Sequence, residues 1–121
     1  MTQIDVLSAE RTKVAAQVGA LAEEWDAIVA AAQDVAMDDE HDPDGSTVGF
    51  ERARVGALLD QSRRRLAALD QALERAHAGR YGRCEECGVP IPPERLAALP
   101  ETVRCVACAA PTDPRRSGIW A

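Results

Sequence analysis

Apolar residues recur along the first third of the chain in alternating steps of three and four. The positions are Ile4, Leu7, Val14, Val18, Leu21, Trp25, Ile28, Ala32 and Val35, with Arg11 filling the one polar slot. That alternation is the a/d seam of a coiled coil, and it predicts one long helix over residues 3–36. Thr2 and Asp5 have the spacing of a capping box at its start. Gly19 lies off the seam. A second seam runs through Val48, Arg52, Val55, Leu59, Ser62, Leu66, Leu69, Leu73 and Ala76, predicting a helix over 48–79. Ser46 or Thr47 can cap this helix, and Gly79 is a natural residue to follow its C-terminus. Residues 37–47 break the period with acids, Pro43 and Gly45, which marks a connecting loop. Two helices of similar length joined by a short loop pack antiparallel. The expected fold is mainly α: a long antiparallel coiled-coil hairpin over 1–79 with an acidic tip at 37–47.

Beyond the hairpin the pattern changes. The only four cysteines, Cys84, Cys87, Cys105 and Cys108, form two C-x-x-C pairs with seventeen residues between them. The separation falls inside the roughly 15–20 residues usual for four-thiolate zinc sites. Two disulfides suit a secreted, cysteine-dense chain. A thioredoxin-like motif needs a single C-x-x-C on a βαβ unit, and iron–sulfur clusters usually space their thiolates differently. The spacing therefore favours one structural Zn²⁺ held by all four sulfurs, which leaves no open position for catalysis. The four-cysteine zinc-finger module is expected over 80–110. Within it, Pro92 and Pro93 open a short helix at Glu94–Leu99, which Pro100 ends. A tail, 111–121, carries Arg115, Arg116 and Trp120.

Composition changes the picture in two ways. Aromatic residues make up only 3% of the chain, which suits helix-on-helix packing by Ala, Leu and Val better than a large globular core. The net charge is −6, with the acids concentrated in the first fifty residues and twelve arginines in the remainder. A chain with this balance is a poor candidate for general DNA binding, which needs a basic face to displace counterions. A protein partner with a basic surface fits better. No run approaches the roughly 20 apolar residues of a membrane span, and reduced metal-binding thiols without a signal peptide point to the cytoplasm. His41 and His77 are expected in solvent. Arg63, Arg64 and Arg65 are expected to pair with acids of the first helix, or to meet an anionic partner. Arg95 is expected near the thiolates. The tip carboxylates have no accompanying base, nucleophile or metal, so the chain is not expected to be an enzyme.

From Tyr81-Gly82 to Cys108 the chain resembles the DksA/TraR family of zinc-finger regulators of bacterial RNA polymerase. The matching positions are Cys84, Glu85, Cys87, Ile91, Arg95, Pro100, Cys105 and Cys108, in register and without a gap. The hairpin is also similar to that family's coiled coil. The resemblance implies a transcription regulator that binds RNA polymerase. Its hairpin would enter the secondary channel with the tip near the active site, without specific DNA contacts, and in some members with a response to ppGpp. The family's tip commonly reads Asp-x-x-Asp-x-Ala. Here the nearest equivalents are Asp42, Asp44 and Ser46, compressed by one residue and with Ser in place of Ala. Two other classes of function fit the same residues: a coiled-coil adaptor whose zinc module binds another protein, and a thiolate sensor in which oxidation ejects zinc.

Overall fold

The structure is a computed structural model that describes residues 2–38 and 44–110. Four helices occur among these residues: α1 (Gln3–Asp38), α2 (Asp44–His77), α3 (Pro93–Ala98) and α4 (Val106–Ala109). No strand occurs among them; a single antiparallel bridge joins Arg83 and Pro90.

Helix α1 opens with the capping box that the sequence predicts. The Asp5 amide donates to Thr2 Oγ1 at 3.1 Å, and the Thr2 amide donates to Asp5 Oδ2 at 3.1 Å. Two of the amides that a helix start leaves unpaired are thereby satisfied. Helix α2 ends in a Schellman motif: the Arg80 amide donates to Arg75 O at 2.8 Å and the Gly79 amide to Ala76 O at 3.1 Å. Gly79 takes φ +74°, a left-handed conformation that side chains with a Cβ disfavour. The Arg75 guanidinium then holds the departing chain through Arg80 O and Arg83 O, at 3.2 and 2.7 Å.

Both long helices exceed the spans that periodicity suggests at the turn between them. Met37 and Asp38 continue α1, and Asp44 to Thr47 already belong to α2. Acidic Asp44 as the first residue of α2 suits the positive end of a helix dipole, so the composition of this stretch favours a helix start as well as a loop. The expected tip residue Asp42 lies outside the described residues; Asp44 and Ser46 lie in the first turn of α2.

The hairpin is antiparallel, and its contacts run in opposite order along the two arms. Near the base, Leu7, Val14, Leu69 and Ala72 are fully or almost fully buried, and Val18, Leu66, Leu73, Ala76 and Tyr81 pack against them. Further along, Val55 and Leu59 are buried, and Trp25 lies beside Gly56. Nearer the turn, Ile28 and Ala31 face Thr47, Val48 and Glu51. At 1.5 Å per residue the arms are about 50 Å long, so the fold is a narrow rod with one seam for a core. The seam pattern and the burial agree closely, apart from Ala72, which is buried beside the seam, and Arg52, which is exposed on it. Arg52 instead places its guanidinium 5.8 Å from the centre of the Trp25 ring, a cation–π contact. The polar slot of the first seam is filled by a pair: Arg11 Nε donates to Asp70 Oδ1 across the hairpin.

Candidate metal centre and its attachment to the hairpin

The first cysteine pair sits on a tight turn. The Cys84 amide donates to Val89 O at 2.9 Å, the Gly88 amide to Cys84 O at 3.0 Å, and the Ile91 amide to Gly82 O at 2.7 Å. This folds the chain back within a few residues and turns the Cys84 and Cys87 sulfurs to one side. The second pair is placed by α4. Cys105 is the N-cap and Cys108 lies one turn on, with the Ala109 amide donating to Cys105 O at 2.9 Å. The two halves are stitched by the Glu85 amide, which donates to Val103 O at 2.8 Å. Cys84, Ile91 and Cys105 form a small buried core, with Leu96 and Cys108 packed on it.

All four Sγ atoms lie within 4.8 Å of one another. In a tetrahedron with Zn–S bonds of 2.3 Å the sulfurs stand about 3.8 Å apart. The Cys87 and Cys105 sulfurs are 3.7 Å apart, so the donor set is of the size that one zinc ion takes. Backbone amides of Cys87 and Cys105 hold the Cys84 thiol down to about 6. The neighbouring sulfurs of Cys105, Cys84 and Cys87 push the Cys108 thiol well above its ordinary range. Four thiolates this close repel one another, and a divalent cation at their centre removes that repulsion. The chemistry such a site supplies is cross-linking, because sulfur occupies every coordination position.

Arg95 hydrogen-bonds the chain leading into Cys105. Its Nε donates to Arg104 O at 3.0 Å and its Nη2 to Thr102 Oγ1 at 3.4 Å, bracing the strap, residues 99–104, that leads from α3 into Cys105. Arg104 stands beside the cysteine turn, with Nε 3.3 Å from Glu85 and 3.4 Å from Glu86. Sequence spacing does not identify this partner, because the pair is set by the folding of the strap over the turn.

Of the three consecutive arginines, Arg65 joins three parts of the molecule. Its Nη2 is 2.7 Å from Glu10 Oε1 on α1, and its Nε is 3.0 Å from Glu101 Oε2 on the strap. The expected pairing with an acid of the first helix is therefore present, and a second acid from the zinc module joins it. Tyr81 makes the other junction: its ring packs on the base of the hairpin and its hydroxyl donates to Pro100 O at 2.9 Å. Burial, with the nearby Glu101 charge, raises the Tyr81 phenol. His77, at the end of α2, is exposed as expected; His41 lies outside the described residues.

This architecture defines a class: a helical hairpin mounted on a closed four-cysteine module. Residues 79–113 match the prokaryotic dksA/traR C4-type zinc finger. Over 55 residues the chain is 46% identical to an uncharacterised protein of Aquifex aeolicus, covering 46% of this chain and 37% of that one. Over 56 residues it is 45% identical to the RNA polymerase-binding transcription factor DksA of Caulobacter vibrioides, covering 46% of this chain and 39% of that protein. The chain thus spans less than two fifths of these relatives' length. The structure of transcription factor DksA2 from Pseudomonas aeruginosa superposes with a TM-score of 0.69 at 25% identity, covering 88% of this chain and 76% of that one. Residues 79–113 thus carry a zinc finger of the dksA/traR C4 type, and the fold as a whole is similar to that of DksA2. No helix among the described residues is long and apolar enough to cross a membrane.

Proposed function

We propose that this protein is a transcription regulator that binds RNA polymerase, with residues 1–79 as an arm that enters the secondary channel and residues 80–110 as the clamp at its base. The observation that supports this reading is the shared architecture: 88% of the chain overlays the structure of transcription factor DksA2. A narrow rod about 50 Å long can reach into a channel that a globular domain cannot enter. Its turn is flanked by Asp38 and Asp44, with Asp39, Glu40 and Asp42 between them in sequence. Carboxylates there would meet the cations of a nucleotide-polymerising site. In this reading Asp42, Asp44 and Ser46 face the polymerase active site, and ppGpp acts at the interface of the two proteins. The protein has no catalytic role of its own and makes no sequence-specific contact with DNA.

The test is capture of core RNA polymerase by the zinc-loaded chain, followed by an initiation assay. Micromolar or tighter binding is expected. An Asp42→Asn/Asp44→Asn variant is expected to bind equally well yet lose the effect on initiation, and added ppGpp is expected to enlarge the wild-type effect. Absence of binding overturns the reading. Equal activity of the double variant removes the role assigned to the tip.

A further inference from the structure

Glu101 has an arrangement that packing alone does not explain. Its side chain is only 15% exposed, one carboxylate oxygen bonds Arg65, and the other, Oε1, is buried without a hydrogen-bond partner. Buried carboxylate oxygens are normally paired, and leaving one unpaired is costly. The position is nonetheless well fixed. Glu101 stands four residues before the ligand Cys105, and both ends of that strap are tied. Tyr81 holds Pro100 O, Arg95 holds Arg104 O, and the Glu85 amide beside Cys84 holds Val103 O. Placing Cys105 in the sulfur cluster therefore places Glu101.

On the hairpin side, Arg65 emerges from α2 and bonds Glu10 of α1 with the same guanidinium that meets Glu101. Burial works against the Arg65 charge, but the bonds to Glu101 and Glu10 outweigh it and raise its pKa. Arg65 is thus one cation shared by both arms of the hairpin and by the strap. Among the described residues, Arg65–Glu101 is the ion pair that crosses from the hairpin to the module.

We propose that the Glu10–Arg65–Glu101 triad is a latch that couples occupancy of the metal site to the closure of the hairpin base. Glu101 is a positioning residue in this device. With the sulfurs drawn together, the strap presents Glu101 to Arg65 and the arms are clamped. With the sulfurs apart, the strap relaxes, Arg65 keeps only Glu10, and the buried Glu101 carboxylate regains water. Coupling of this kind is a free energy shared between two sites, so removing the link abolishes the response without removing either site.

The test is amide hydrogen exchange over Leu66–Leu73, measured on the full chain under reducing conditions with zinc bound and after chelation. Two variants break the link from opposite sides, Glu101→Ala and Arg65→Gln, and zinc stoichiometry is measured for each. In the wild type, chelation is expected to speed exchange at the hairpin base at least tenfold. In both variants one zinc per chain is expected to remain, while exchange at the base is already fast and changes less than twofold on chelation. A wild-type base indifferent to chelation overturns the latch, as do variants that keep the full zinc-dependent change. If one variant fails to fold, the other decides the question.

Discussion

The indole of Trp25 lies so close to the backbone of Gly56 that a Cβ at that position would stand 2.9 Å from ring atom Cζ3. Carbon atoms do not approach that closely without displacement, so the glycine makes room for the ring midway along the hairpin. Glycine in a helix interior costs about 1 kcal/mol relative to alanine, and overpacking typically costs about 1–3 kcal/mol. Gly56→Ala is therefore expected to be neutral to destabilising in the wild type. In a Trp25→Ala background the same change is expected to stabilise by about 1 kcal/mol. Thermal unfolding of the four corners of this cycle checks the sign reversal.

The seam carries the stability of the rod. Leu7 and Leu69 are fully buried at its base, and truncating either to alanine is expected to cost about 2–5 kcal/mol. Arg11 occupies the same seam and pairs with Asp70 beside it, their side chains 42% and 47% exposed. Arg11→Leu, which continues the apolar pattern, is expected to leave the melting temperature unchanged or to raise it. Urea titrations that rank Leu7→Ala above Arg11→Leu in damage would bear this out.

Much of the fold is legible in the chain because a seam of alternating threes and fours has few alternatives once it exceeds four heptads. The capping box at Thr2 and Asp5, the residue after α2 at Gly79 and the four sulfurs are equally local signals. The turn is less legible, because Asp44, Gly45 and Ser46 suit a loop and a helix start alike. The attachment of the module is least legible. Glu101 and Arg65 stand thirty-six positions apart in sequence and meet only after the strap has folded over the base. Arg95 shows the same limit, since nearness in sequence to the cysteines does not say which carbonyl it will hold.

Gly79 sets where α2 stops. Its φ of +74° is accessible to alanine only at a cost of about 1–2 kcal/mol. Gly79→Ala is expected to destabilise by about that amount, and Gly79→Asn by less, because Asn tolerates the left-handed region better. Chemical denaturation of both variants distinguishes this from a general loss of flexibility, which would affect them alike.

Metal affinity is expected to fall as pH falls, and the sign follows from the thiols. Cys84 is held at about 6 and is a thiolate at neutral pH, whereas Cys108 is pushed well above the ordinary thiol range and keeps its proton. Zinc must displace that proton, so apparent affinity should still be rising between pH 6 and 8. Competition with a chromophoric chelator across that range, with proton release measured in weakly buffered solution, checks both quantities. A flat profile would contradict this placement of the protons. Cys105→Ser, which removes a corner of the site, is expected to unfold the module outright.

The central claim is that the hairpin enters RNA polymerase with its turn foremost. The most direct measurement replaces the polymerase active-site Mg²⁺ with Fe²⁺, generates hydroxyl radicals there, and maps backbone cleavage in the bound, end-labelled protein. Cleavage is expected to be confined to the segment joining α1 and α2, around residues 38–46, with none in the zinc module. Cleavage in the module instead, or an intact chain in a complex shown to have formed, would contradict it.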